Sequence, residues 1–244
     1  MKKSSLKKLK TAVTTLIKGV ALFALFAASP VVMDEVRDFY WVEIASPKAA
    51  PAKYRDRIVA SSSQIKYKGK RYTLTNQHVC RVNELLFKQS NFDNRYVPNE
   101  KIVGTYMQIG DKPLKILAIS KEHDLCILEP DTDKGAFSLA MNYHIGERVT
   151  IIGHPRGLPQ TLREGRLISK QVSTIPWIEA RIINTVMIST ISYPGNSGSP
   201  VLNRFGNLIG VLFAGQRGIV TEALIVPLED VKKFLNNYER SLTK

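Results

Sequence analysis

Apolar positions recur along most of this chain in short alternating runs, not in long helical stripes. Ile58-Val59-Ala60, Gln64 to Tyr67, Tyr72-Thr73-Leu74, Lys101 to Ile109, Pro113 to Ser120 and Leu125 to Leu128 have the length and side-chain types of strands. Phe39, Tyr40, Trp41, Val42 and Ile44 read best as another over Val36 to Ser46, with a short helix as the competitor, closed by the connection from Pro47 to Pro51. Ser61-Ser62-Ser63 interrupts one arm of a hairpin whose turn is Lys68-Gly69-Lys70. Glu84 to Gln89 predicts one helical turn, Asn91 to Asn99 an insertion loop, and Glu129-Pro130-Asp131 the end of the first strand-rich stretch.

The second half repeats the pattern in Phe137 to Ala140, Val149 to Ile152, Thr161 to Ser169, Ile182 to Ser189, Val201-Leu202, Leu208 to Phe213 and Ala223 to Val226. Many short strands divided by Gly and Pro favour a barrel or sandwich over repeated βαβ units. Leu228 to Leu242 differs: Val231, Phe234, Leu235 and Tyr238 fall at helical spacing, which predicts a terminal helix laying one apolar stripe on the strands before it.

Composition changes this picture mainly at the N-terminus. The 244 residues suffice for one large all-β domain or two small lobes, and 44% hydrophobic content is ordinary for a globular chain. Of the net charge of +14, six lysines unaccompanied by any acid lie in residues 1–30, leaving +8 for the remainder. A basic remainder favours acidic substrates, anionic membrane surfaces or nucleic acid without choosing among them. There is no zinc-type cysteine spacing and no phosphate-binding Gly-x-x-x-x-Gly-Lys run, and aromatics do not interleave with clustered Arg and Lys. No specific nucleic-acid partner is therefore expected.

Residues 1–33 combine a basic head with an uncharged run of fifteen from Gly19 to Met33, the charge distribution of an export signal or a membrane anchor. Fifteen is short of the roughly 20 residues a bilayer core requires. The small pair Ala27 and Ser29 would mark a cleavage site but leaves Pro30 at the new terminus. An uncleaved anchor, a cleaved signal and a helix of a soluble protein all stay open. The first two export the protein or hold it on the far side of the cytoplasmic membrane; the third leaves it cytoplasmic.

The chemistry centres on Tyr193-Pro194-Gly195-Asn196-Ser197-Gly198-Ser199-Pro200, where a serine between glycines predicts a tight turn. A serine nucleophile needs a base to take its proton and an acid to orient that base. Leu74-Thr75-Asn76-Gln77-His78-Val79 and His123-Asp124-Leu125-Cys126-Ile127-Leu128 supply one of each.

In this order the three runs resemble the trypsin-like serine peptidases, within them the bacterial HtrA-type and staphylococcal glutamyl-type endopeptidases, over roughly residues 36 to 230. The resemblance implies an all-β fold of two six-stranded antiparallel β-barrels of the chymotrypsin type, over 34–134 and 135–227, with a C-terminal helix at 228–244. No peptide-binding appendage of the PDZ type is expected in these residues. It implies His78 as base, Asp124 as its orienting acid and Ser197 as nucleophile, with the backbone N–H groups of Gly195 and Ser197 as oxyanion donors. Protein or peptide is the implied substrate, and neither a metal nor an organic cofactor is called for.

By the same resemblance Thr190, Ile191 and Ser192 line the primary pocket with Val211, Leu212, Phe213, Ala214 and Gly215. None is acidic, which disfavours Lys or Arg at P1 because an unpaired charge would be buried. Glutamyl-type relatives commonly place a histidine on the second of these stretches, and this chain has none there. Small or medium apolar P1 residues are expected. His123 should point away from Asp124 on extended backbone and is read as a structural or surface residue. Cys80 and Cys126 each lie two residues beyond a proposed catalytic partner, and two buried thiols are favoured over a disulfide. The competing account is a catalytically silent binding or assembly protein of the same fold, its cleft closed by Phe87 to Pro98.

Overall fold

A computed structural model of the chain describes residues 40–47, 58–81, 96–106, 110–130, 135–158, 160–175, 181–216 and 219–243. The N-terminal basic and apolar segment and the turn expected at Glu84 to Gln89 lie outside those residues. The first half contributes strands β1 (Tyr40–Pro47), β2 (Ile58–Tyr67), β3 (Lys70–Thr75), β4 (Tyr96–Tyr106), β5 (Gly110–Pro113), β6 (Ile116–Ser120), β7 (Leu125–Leu128) and β8 (Phe137–Ser138). One helical turn, α1 (Gln77–Cys80), follows β3. The second half contributes β9 (Arg148–Gly153), β10 (Thr161–Ile175), β11 (Arg181–Ser189), β12 (Pro200–Asn203), β13 (Leu208–Gln216) and β14 (Ile219–Pro227), then helix α2 (Leu228–Ser241).

Only the second half closes. Its strands form a six-stranded barrel in the order β10-β11-β14-β13-β12-β9, with β9 pairing back onto β10. The first half is an open sheet ordered β5-β4-β1-β2-β3-β7-β6, with β8 pairing parallel to β2. The expectation of two six-stranded barrels is therefore corrected to one barrel and one open sheet. The reason lies in the two edges. Strand β5 reads Gly-Asp-Lys-Pro, with no apolar face and a terminal proline that lacks a donor for a further ladder. At the opposite edge β6 leaves Ile116 and Ile119 partly exposed instead of turning them into an enclosed interior.

Two local expectations also change. Ser61 to Ser63 do not interrupt a hairpin arm; they continue β2, all fully buried. Tyr96 to Asn99 open strand β4, which pairs along β1, so the loop expected over Asn91 to Asn99 is a strand in its second part. The cysteines are joined, Cys80 to Cys126, and are not the two free thiols favoured from sequence.

One apolar cluster spans both halves and the helix: Ile65, Leu74, Leu125 and Ile127 pack with Ile152, Val211 and Phe213 and with Val231, Phe234 and Leu235 of α2. A second, of Val149, Ile151, Leu167, Val186, Ile188, Ile209 and Leu212, fills the barrel. Strand β13 serves both, and a register shift where Val201 pairs Gly210 but Leu202 pairs Leu208 decides which of its residues face which cluster. The extra residue reverses the alternation, so Ile209 and Leu212 face the barrel while Leu208, Val211 and Phe213 face the shared cluster. Each such fully buried side chain contributes roughly 1.5–3 kcal/mol. Helix α2 begins with Glu229 and Asp230 in its first turn, a favourable charge at that end of the helix dipole.

Candidate active site

Strand β3 ends at Thr75, and the backbone turns through Asn76 into α1, which carries His78 as its second residue. Asp124 lies in the tight turn between β6 and β7 with φ of 50°, a left-handed conformation that aspartate tolerates better than most side chains. Asn76 ties the two segments by donating its Nδ2 to the Asp124 carbonyl at 3.1 Å. The Asp124 carboxylate then accepts twice from His78: the backbone N–H at 3.0 Å, and the ring Nδ1 at 2.9 Å to Oδ2. Both side chains are nearly buried, at 9% and 2% exposure. With Nδ1 holding its proton toward the carboxylate, Nε2 is the ring nitrogen with a lone pair for proton transfer.

The nucleophile turn is held from a third direction. Gly195 and Gly198 have φ of 98° and 88°. A Cβ on Gly198 would stand 1.8 Å from the Ser61 carbonyl, so only glycine fits. Within the turn Asn196 N–H donates to Tyr193 and Ser199 N–H to Asn196, while Gly198 N–H donates to Leu212 of β13. The Ser197 hydroxyl donates to the Phe213 carbonyl at 3.3 Å.

Ser61 is the residue that sequence reasoning missed. Its N–H donates to the Ser197 carbonyl at 2.7 Å. Its Oγ donates to the Gly195 carbonyl at 2.8 Å and accepts from His154 N–H at 3.1 Å. Its own carbonyl accepts the Thr75 hydroxyl at 2.8 Å, three residues before His78. One serine thus fastens the Ser197 turn to the strand leading into the histidine. The signal was available in sequence as three consecutive serines inside an apolar strand pattern, which have to bury their hydroxyls somewhere.

Arg156 is a second residue the sequence did not single out. It sits in the 3-10 turn Pro155–Gly157 with φ of 56°, a left-handed conformation costing about 1–2 kcal/mol for a residue with a Cβ. Its N–H donates to the Pro194 carbonyl at 2.7 Å. Because the amide is trans and planar, fixing that carbonyl directs the Gly195 N–H the opposite way.

The sequence-predicted pocket residues separate. Thr190 and Ser192 are buried and Ile191 is exposed; Val211 and Phe213 pack in the shared cluster and Leu212 in the barrel. Ala214 and Gly215 lie on β13. His123, read as a structural or surface residue on extended backbone, lies in the turn before β7 and is buried between Asp230 of α2 at 3.5 Å and Glu122 at 3.6 Å. The Glu122 carboxyl is held below its ordinary range, first by a hydrogen bond from Lys233 and then by the charge of His123. Elsewhere, a cleft of about 360 Å³ is lined in part by Tyr143, Lys170, Thr185 and Glu229, with neither histidine nor cysteine among the described residues of its wall. There Tyr143 donates to Glu229, and burial, reinforced by that carboxylate, pushes its phenol above the ordinary range.

Residues 58–211 match the family model described as the trypsin-like peptidase domain. The chain is 30% identical over 173 residues to the serine protease Do-like HtrA of Bacillus subtilis, covering 68% of this chain and 36% of that protein. It is 28% identical over 174 residues to the chloroplastic Protease Do-like 2 of Arabidopsis thaliana, covering 69% and 26%. The chain thus spans about a third of the length of these relatives or less. Among solved structures, the active form of the Rv3671c protease from M. tuberculosis superposes with a TM-score of 0.64 at 15% identity, covering 84% of this chain and 82% of that one. The serine endoprotease from Yersinia pestis gives 0.59 at 21% identity, covering 86% and 65%.

Proposed function

Since the chain belongs to the trypsin-like peptidase domain family, we propose that it is a serine endopeptidase that cleaves protein or peptide substrates through an acyl-enzyme. The buried hydrogen bonds from His78 to both oxygens of Asp124 carry this reading. In the proposed reaction Ser197 Oγ attacks the scissile carbonyl while Nε2 of His78 takes its proton. Asp124 keeps the ring in the tautomer that leaves Nε2 basic and stabilises the imidazolium that forms. His78 then protonates the leaving amine, and water activated by the same nitrogen hydrolyses the ester. In this reading the Ser197 hydroxyl leaves the Phe213 carbonyl before His78 takes its proton.

Gly195 and Ser197 N–H groups serve as the oxyanion donors in this reading. It is supported by the Arg156 bond to Pro194, which orients the Pro194–Gly195 peptide, and by the Ser199 N–H bond to the Asn196 carbonyl, which orients the Asn196–Ser197 peptide. One such donor is worth about 3 kcal/mol in the transition state. Thr190, Ile191 and Ser192 offer no acid for a basic P1 side chain, so small or medium apolar P1 residues are proposed. Residues 1–33 act as an export signal or anchor, in keeping with a disulfide that an oxidising compartment preserves. A fluorophosphonate probe tests the reading. Covalent labelling is expected in the wild type and lost in both Ser197→Ala and His78→Ala; a folded wild type that never labels would favour the silent binding protein.

A further inference from the structure

Two guanidinium groups gather on one aromatic ring beside the nucleophile turn. The Arg156 guanidinium carbon lies 4.2 Å from the Tyr193 ring centroid and that of Arg163, on β10, lies 5.8 Å from it. Tyr193 opens the turn whose Pro194 carbonyl the Arg156 N–H holds. The Nε of Arg163 is buried and has no hydrogen-bond partner among the described residues. No ion pair joins an acid to either arginine among those residues, and Glu164, next to Arg163 in β10, projects from the opposite face of the strand. Each guanidinium lies against the ring without a carboxylate partner among the described residues, so an anion reaching either one gains a charge-assisted hydrogen bond. Arg156 moreover keeps a left-handed backbone that a glycine would adopt without strain, and strain retained next to a reacting centre is a mark of use.

We propose that Arg156 and Arg163, presented on Tyr193, form a subsite for a carboxylate of the substrate, so that the enzyme selects peptides carrying Asp or Glu close to, but not at, P1. The inference rests on the peptidase reading above. Tyr193 is two residues from Gly195, a Cα separation of no more than about 7.6 Å. An extended peptide advances about 3.3 Å per residue, so the carboxylate belongs roughly two or three residues from the scissile bond. Guanidinium suits this task because its planar fork meets both carboxylate oxygens.

The test uses fluorescein-labelled Ala/Val hexapeptides carrying one Glu, each paired with its Gln twin, the Glu being moved through every position. Anisotropy titrations are made against full-length Ser197→Ala protein, so that nothing is cleaved. At 50 mM NaCl the best Glu peptide should bind about three- to tenfold tighter than its twin, and 500 mM NaCl should erase the difference. Arg163→Gln on the same background should bring the ratio to near one, with Arg163→Lys in between and circular dichroism unchanged in both. In the active protein kcat/KM should follow the same ratio, with positions counted from the cleaved bond located by mass spectrometry. Equal binding of the twins, an advantage that survives Arg163→Gln, or a preference confined to P1 overturns the subsite. Discrimination between the twins in a protein that no fluorophosphonate labels would keep the subsite and remove the peptidase. Labelling without discrimination would do the reverse.

Discussion

The bond between Cys80 and Cys126 joins the helical turn two residues past His78 to the strand two residues past Asp124. Replacing both cysteines by alanine cuts that link while leaving every other contact of the His78–Asp124 pair in place. The bridge closes a loop of sequence separation 46, and loop-closure entropy at that length predicts about 4 kcal/mol of stabilisation through the unfolded chain. Residual structure in the unfolded chain lowers the expectation to about 3 kcal/mol. For a domain of this size that is a fall in Tm of roughly 6–12 °C. Activity should fall as well, because the bridge limits how far base and acid drift apart, and small displacements of catalytic groups are costly. A decrease in kcat of about tenfold with KM nearly unchanged is expected. Thermal melts followed by circular dichroism, with and without dithiothreitol, make the measurement, and the alanine variant should resemble reduced wild type and be indifferent to reductant. Equal Tm and kcat for oxidised and reduced wild type would refute the reasoning.

Ser61→Ala should leave the Gly195 carbonyl and the His154 N–H without their buried partner, costing about 1–3 kcal/mol for each. Its fluorophosphonate labelling should slow more than its melting temperature alone accounts for, whereas a normal labelling rate would deny Ser61 its part in holding the turn. Asp124→Asn should preserve the fold and lower kcat by roughly 10⁴, because the amide can present its N–H to Nδ1 and favour the wrong tautomer; single-turnover acylation checks this. Glu122 has a folded pKa below its ordinary 4.5, so its contribution is fully present above pH 4.5 and lost as pH falls through the depressed value. The advantage of wild type over Glu122→Gln should therefore be flat from pH 6 to 5 and vanish in more acidic melts. It should stay small because the pair is exposed and solvent screens it.

Much of the architecture could be read from local pattern. Apolar or β-branched runs bounded by Gly or Pro mark most of the strands, and helix α2 starts at Leu228 as the helical spacing predicts and ends at Ser241, one residue short of Leu242 and three short of the expected segment end at 244. The turn around Ser197 was equally legible, since glycines at 195 and 198 fill positions whose positive φ and close neighbours exclude any side chain. Less legible were features that depend on what a strand meets. The serines of β2 looked like an interruption because a hydroxyl is polar on its own, yet in place Ser61 satisfies three segments at once. Tyr96 to Asn99 fall within the loop expected over Asn91 to Asn99, but β1 offers them a ladder.

By itself, then, the sequence determined the all-β character, the terminal helix, the glycine-bounded turn and the order in which histidine, aspartate and serine appear. Those are properties of residue type, spacing and backbone preference, which act over a few positions. Only the tertiary structure decided that one sheet closes and the other stays open, that Cys80 meets Cys126, and that Arg156 and Arg163 share the ring of Tyr193. Each of these joins segments distant in the chain. Closure in particular requires two edges to present donors, acceptors and apolar faces to each other, and the short polar edge of β5 fails that requirement in a way no single strand discloses.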